Sequence, residues 1–309
     1  MKKKLKNVPI NKFTFGIESE NYVKDWPVDH GECHETRSPK MPTFNGVLIY
    51  YRNIVKRHMD DEEFVLHSFP ISTYGDSVSA HIHFKANVDN WSEYSWELYD
   101  RLYNFIELFQ FFFKNSPNKN NKTLSERHYS AHWCEIIKMN KQQFSRCGRE
   151  YNALTPNAGI GTLEFRYNEV PKHLNQLSMF YYIIYLASQT DIKVPKLPNN
   201  MKIHKLEDIE EPINSLFSFK DKKSIANYKK SYKSILLTFA EDVDKKVKKK
   251  FYCFNSKKYL SFGDFVKTTL ESDLKLFNDF FKDNNKNDIE WGYDLKKNFD
   301  CKIPVQLIK

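Results

Sequence analysis

The chain has 309 residues and a net charge of +9, and 40% of its residues are hydrophobic, including 25 Phe and 18 Tyr. This composition can bury a large core and excludes disorder over most of the length. The sequence contains 9 Gly and 12 Pro, which argues against internal repeats and a low-complexity scaffold.

Much of the positive charge lies in two lysine-rich runs, at Met1–Lys6 and Asp244–Lys250. Such runs usually form solvated faces, and no zinc finger, RNP-like strand or basic heptad helix accompanies them. Nucleic acid therefore stays an open but less favoured partner. No apolar run approaches the roughly 20 residues of a membrane span, and no signal-type apolar region follows the N-terminal lysines.

The five cysteines are scattered along the chain and odd in number. This pattern predicts reduced thiols and a cytoplasmic location. A zinc site remains an alternative through Cys33 with His34, or through His132 with Cys134, although no CxxC pair supports it.

The first part of the chain alternates short strands with helices, as judged from apolar periodicity. Strands are predicted at Phe13–Glu20, Cys33–Pro39, Phe64–Ile71, Ser79–Ala86 and Gly161–Tyr167, and helices at Val47–His58, Tyr94–Phe113 and Leu174–Ser188. Strands with interspersed helices and few tight hairpins predict an α+β fold with helices on one face of a sheet.

After Pro198 the composition shifts towards lysine and asparagine, and no chemistry-bearing motif follows. Helical segments are predicted at Ser224–Ala240 and Phe262–Phe281. We therefore expect two parts. Residues 1–190 form a core, and residues 191–309 form a mainly helical region that completes the fold or binds a partner.

The strand at Phe13–Glu20 carries two acids that point to the same side, because side chains alternate along a strand. Glu18 and Glu20 repel each other unless a cation or water meets them. Carboxylate oxygens are the ligands that magnesium prefers. The same pattern also occurs on exposed edge strands, so the pair alone does not decide for a metal.

Two later strands show the same arrangement with other functional groups. His81 and His83 share one face of their strand, where they could bind a metal or form a buried pair held by carbonyl groups. Glu164 and Arg166 share a face of the last strand. Glu164 could ligate a metal while the guanidinium binds a phosphate, or the two could form a salt bridge.

Five short motifs follow one another in the order GIESE, HETRSP, SAHIHF, REYNAL and GTLEFRYNEVP. In this order they resemble the amidoligase branch of the glutamine-synthetase-like carboxylate–amine ligases, including the COOH–NH2 ligases of phage genomes. The resemblance covers residues 13–171, just over half of the chain. It implies a glutamine-synthetase-like, mostly antiparallel sheet in the first part. For a phage protein, the location would be the host cytoplasm.

The resemblance also implies two magnesium sites. Glu18, His81 and Glu164 would hold one ion near the phosphates of ATP. Glu20 and Glu35 would hold a second ion near the reacting carboxylate. The acid of HETRSP stands closer to the first strand than its counterparts in glutamine synthetase.

Three further residues would bind the anionic substrates, as implied by the same resemblance. Arg166 would contact the transferring phosphate, His83 would lie close to the nucleotide, and Arg149 would clamp the phosphate or acyl phosphate. REYNAL contains Glu150 between the arginine and the tyrosine, so Arg146 is an alternative to Arg149.

The implied activity is ATP- and magnesium-dependent formation of an amide or isopeptide bond between a carboxylate and an amine. It proceeds through an acyl phosphate, with small molecules or peptides as substrates. Nothing matches the ammonia-site loops of glutamine synthetase, so glutamine synthesis is not implied. Two other functions stay open: a binding or structural protein that has kept the fold without catalysis, and a metal-dependent hydrolase or nuclease.

Overall fold

A six-stranded antiparallel sheet forms the centre of the protein. The structure is a computed structural model, which describes residues 7–21, 23, 25–30, 33–61, 64, 79–113, 137–147, 152–166, 173–189, 191–198, 222–271 and 298–309. The strands are β1 (Phe13–Asn21), β2 (Val28–His30), β3 (Cys33–Arg37), β4 (Ala80–Ala86), β5 (Leu154–Asn157) and β6 (Thr162–Phe165). Their spatial order is β2-β3-β1-β4-β6-β5, and every neighbouring pair is antiparallel.

Helices pack on one face of this sheet. The helices are α1 (Phe44–His58), α2 (Trp91–Phe113), α3 (Lys141–Ser145), α4 (Leu174–Ser188) and α5 (Lys222–Lys246), and a further helix includes residues 262–271. Phe15 of β1 contacts Phe44 of α1 and Tyr181 of α4, with ring centroids 5.3 and 5.6 Å apart. Phe13 contacts Tyr94 of α2. This packing leaves the acids of β1 on the opposite face.

The alternation that predicted β1 is the reason for this arrangement. Buried and partly exposed residues alternate along the whole strand, and Phe13, Phe15 and Ile17 are almost completely buried. Each of these side chains contributes about 1.5–3 kcal/mol by leaving water. A shift of one residue in register would expose all of them and bury Glu18 and Glu20 against the helices, so the register is strongly specified.

The C-terminal residues that the structure describes pack against α2 and α4. Tyr232 of α5 donates a hydrogen bond to the carbonyl of Leu108. Tyr182 of α4 donates one, 2.7 Å long, to the carbonyl of Tyr252 in a two-stranded hairpin. This hairpin consists of β7 (Phe251–Cys253) and β8 (Lys258–Leu260). The described residues of both predicted parts thus share one hydrophobic core. The division near residue 190 stays a prediction.

The predicted α+β class is confirmed, and so are most elements of the first part. α4 has the predicted bounds, while α1 and α2 each begin three residues earlier than predicted. β3 and β6 are shorter than the predicted strands. Phe64 is helical, and the rest of the predicted strand at Phe64–Ile71 lies outside the described residues.

No helix in the described ranges is long and apolar enough to cross a membrane. His132 and Cys134, one of the alternative zinc pairs, lie outside those ranges.

Candidate metal centre

The sheet face opposite the helices, here called the polar face, carries most of the predicted site residues. Residues directly opposite each other on neighbouring antiparallel strands point to the same face. In β1, Glu18 lies opposite His81 of β4 and Arg37 of β3. Farther along β4, His83 lies opposite Glu164 of β6. The register therefore brings groups from four strands together.

Glu18, His83 and Glu164 form the tightest group, here called the acid–histidine cluster. One ligand atom from each residue lies within 4.8 Å of the other two. The Nε2 atom of His83 is 3.2 Å from the Oε1 atom of Glu18. This nitrogen is buried and makes no hydrogen bond to a described residue. The cluster therefore contains a buried imidazole nitrogen beside the carboxylate of Glu18.

His81 lies beside this cluster and contacts both of its acids. Its Nδ1 atom is 3.5 Å from Glu18 and 3.4 Å from Glu164. Its Nε2 atom is 2.8 Å from the hydroxyl of Ser79. The sequence placed His81 in the first metal site and His83 near the nucleotide. In the structure, His83 belongs to the closest ligand group and His81 links that group to Ser79.

Two neighbouring residues hold Glu164 in position. The side-chain amide of Asn157 in β5 donates to one carboxylate oxygen at 3.1 Å. The guanidinium of Arg166 donates to the other oxygen at 2.8 Å. Glu164 and Arg166 thus both lie on the polar face, and they form the salt bridge that was one of the two alternatives from the sequence.

The electrostatics of the cluster favour a charged carboxylate. Burial acts to raise the pKa of Glu18, but the adjacent His81 and His83 outweigh it and hold that pKa well below its usual range. Burial acts to lower the pKa of His83, but the Glu18 and Glu164 carboxylates outweigh it and raise that pKa. Cations are thus stabilised at this position.

A second pair of acids lies next to this cluster, two residues farther along β1. Glu20 and Glu35 are directly opposite each other, as expected if both faced one ion. Ser79 donates a hydrogen bond to Glu20, and Arg37 donates one to Glu35. The Nε atom of Arg37 also lies 3.4 Å from Glu18.

The structure describes one of the two alternative arginines in and before REYNAL. Arg149 lies outside the described ranges, and its proposed role stays a prediction. Arg146 is exposed at the end of α3, where its backbone caps that helix.

Sequence reasoning missed Arg37, Ser79 and Asn157 as members of the site. Arg37 could have been found, because alternation along β3 puts it on the same face as Glu35. Ser79 similarly lies two residues before His81. Asn157 had no such signal, since its strand was not predicted and its contact with Glu164 depends on the pairing of β5 with β6.

The donors of the acid–histidine cluster fit a divalent cation. Carboxylate oxygens suit magnesium and manganese, and a buried imidazole nitrogen is a common ligand of zinc and other transition metals. The fold and this face together define an α+β protein with a candidate divalent-metal centre on the polar side of an antiparallel sheet. Neither protein-family models nor curated proteins match the sequence. A function must therefore be argued from this geometry and from the short strand motifs.

Proposed function

We propose that the protein is an ATP- and magnesium-dependent carboxylate–amine ligase with a glutamine-synthetase-like fold. The observation that carries this proposal is the convergence of Glu18, His83 and Glu164 on one sheet face, with the cation of Arg166 beside them. The motif order of the strands supports it independently, because the same strands carry the resemblance to the amidoligases.

Glu18 and Glu164 would hold a magnesium ion through their oxygens, with His83 or His81 completing the protein ligands. A bound magnesium ion would polarise phosphoryl oxygens and neutralise charge. Arg166 would bind the transferring phosphate, because its planar guanidinium matches a phosphate as well as it matches Glu164. The resemblance implies a second ion at Glu20 and Glu35, where the structure puts Arg37 against Glu35.

In the proposed reaction, a substrate carboxylate takes the γ-phosphoryl group of ATP and ADP leaves. An amine then attacks the acyl phosphate, and inorganic phosphate leaves as the amide forms. The residues of the polar face would position the reacting groups and offset the charge that develops on the phosphoryl oxygens. The antiparallel sheet suits this role, since it fixes the spacing of the functional groups across neighbouring strands.

The first test measures binding, because the acid and amine substrates are unidentified. Magnesium with a non-hydrolysable ATP analogue should raise the melting temperature of the wild-type protein. A ligand at 100 times its Kd contributes about 2.7 kcal/mol of stability. Glu18→Gln and Glu164→Gln should abolish this shift and lower ADP release in a screen of acids and amines by at least about 100-fold.

Glu241→Gln is the matched control, since Glu241 is an exposed acid on α5 away from the sheet. It should behave like the wild type. No shift in the wild-type protein would favour a binding or structural protein on a ligase-like fold. Degradation of DNA or RNA with magnesium and no ATP would favour a hydrolase or nuclease instead.

A further inference from the structure

The two acids of the second pair on the polar face repel each other, and groups of the protein offset this repulsion. Glu20 and Glu35 lie directly opposite each other on β1 and β3, and like charges in that position are destabilising. Their side chains are only 13% and 7% exposed, so water screens the repulsion poorly. Some cation or hydrogen-bond donor must therefore meet each of these acids.

Arg37 meets one acid of this pair and reaches the acid–histidine cluster as well. Its Nε atom donates to Oε1 of Glu35 and lies 3.4 Å from Oε1 of Glu18. A single guanidinium thus lies between carboxylates of two neighbouring strands, which is the arrangement that a bridging divalent ion would otherwise provide. Arginine keeps its charge at every physiological pH, and its donors match carboxylate oxygens.

Glu20, the other acid of the pair, is bound by different groups. Ser79 donates a hydrogen bond to its Oε2 atom, and the Nε2 atom of His81 lies 3.6 Å from its Oε1 atom. All four acids of the polar face thus have partners in the protein, since Arg37 also lies near Glu18, and Asn157 and Arg166 bind Glu164. They differ in how closely possible ligand atoms gather. Those of Glu18, His83 and Glu164 lie within 4.8 Å of one another, and no such group of three among the described residues includes Glu20 or Glu35.

We propose that Arg37 takes the place of a second divalent cation, so that the site binds a single metal ion, at Glu18, His83 and Glu164. This inference rests on the proposed function. It specifies that the ligase site uses one metal ion together with the guanidinium of Arg37. An ion that binds Glu35 would have to displace the guanidinium of Arg37, which is tethered by the chain two residues away. In the reaction, Arg37 would then provide fixed positive charge on the β3 side of the metal.

The test counts bound Mn²⁺ ions by calorimetry and by electron paramagnetic resonance on the full chain. The wild-type protein should bind one ion. Arg37→Gln should bind a second ion, because it removes the tethered cation and leaves Glu20 and Glu35 facing each other. Adding Glu35→Gln to Arg37→Gln should return the count to one, and Arg37→Lys, which keeps the charge, should also bind one.

Lys40→Gln is the matched control. It removes one positive charge three residues along the chain, at an exposed position that has no described contact with the acids. Its ion count should stay at one, and melting curves of all variants would establish that they are folded.

Two results would overturn the inference: a wild-type protein that binds two ions and loses one on Glu35→Gln, or an Arg37→Gln variant that still binds a single ion. Failure of the proposed function looks different. In that case the wild-type protein would bind no ion, or its single ion would be unaffected by Glu18→Gln.

Discussion

His81 and His83 occupy the same face of β4, but their surroundings separate their roles. His83 completes the closest group of ligand atoms with Glu18 and Glu164. The Nε2 atom of His81 is instead 2.8 Å from the hydroxyl of Ser79. His81 contacts the two cluster acids through its other nitrogen. On this geometry we propose His83 as the ligand and His81 as a group that supports the ligands.

This distinction can be tested with Mn²⁺ affinity, measured separately from activity. We expect His81→Gln to weaken binding by about 10- to 100-fold, as for other groups that support a metal ligand. His83→Gln should weaken it more, because it removes a ligand atom. His58→Gln is the control, since His58 on α1 packs against Trp26 and Phe64 away from the site. A larger loss for His81→Gln than for His83→Gln would reverse the assignment.

At the scale of single residues, the sequence predicts which side chains of a strand point to the same face of the sheet. It does not predict which of them contact side chains of the neighbouring strands. Alternation alone put Glu18 with Glu20 and His81 with His83. The choice between the histidines depends on the pairing of His83 with Glu164, two positions far apart in the chain. That register is a property of the assembled sheet, so a single sequence does not contain it in readable form. Arg37 was missed for a simpler reason: Glu35, the acid of β3, was considered without the arginine two residues after it.

At the scale of elements, the turn between β5 and β6 shows how a loop-like sequence builds part of the site. Gly161 has a φ of +64°, in the left-handed region that disfavours residues with a Cβ atom. Its amide donates to the carbonyl of Asn157 at 2.8 Å, and its carbonyl accepts from the indole of Trp91 at 2.9 Å. The turn thereby sets the position of Asn157, which binds Glu164.

We predict that Gly161→Ala lowers the free energy of unfolding by about 1–2 kcal/mol, the cost of a left-handed alanine. A Cβ atom there would lie 3.4 Å from Lys85 Nζ, an ordinary contact, so strain in the backbone is the main cost. Gly159→Ala is the control within the same turn, because Gly159 has no positive φ and room for a Cβ atom. Urea unfolding would measure both, and equal effects of the two substitutions would contradict the explanation.

Elements with regular periodicity could be predicted from the sequence, and those built by tertiary pairing could not. α4 is apolar over most of its length. In β1, buried and partly exposed residues alternate, and in β4 apolar residues alternate with histidines and a lysine. β5 contains the sequence Leu-Thr-Pro-Asn and is followed by two glycines, which is typical of a loop. It is a strand because β6 offers it an edge with matching hydrogen bonds.

At the scale of the whole molecule, a buried polar network ties the C-terminal residues to the sheet-bearing part. Asn175 of α4 is completely buried. Its side-chain oxygen accepts from the amide of Phe254 at 2.7 Å, and its nitrogen donates to Cys253 and Thr269. One side chain thus fixes the hairpin β7–β8 and the helix that includes residues 262–271. The lysine-rich composition of residues 191–309 gave no sign of this connection.

This network predicts that the described parts of the chain unfold together. Asn175→Ala would leave the buried amide of Phe254 without its acceptor, which costs about 1–3 kcal/mol. We expect hydrogen exchange to show that peptides from β1 and β4 lose protection together with peptides from residues 251–271, at a lower urea concentration than in the wild type. The exposed residue Asn53, whose side chain accepts from Arg52, provides the control Asn53→Ala, expected to change stability by less than about 0.5 kcal/mol.

The outcome decides how the two predicted parts are related. If peptides from residues 251–271 lose protection while β1 and β4 stay protected, residues 191–309 form a separable unit, and the candidate metal centre does not depend on them. If protection is lost in one step, the hairpin and its neighbouring helix are required to hold α4. Because α4 packs against Phe15 and Phe165 under the polar face, destabilising the C-terminal residues should then weaken Mn²⁺ binding only when the whole protein unfolds.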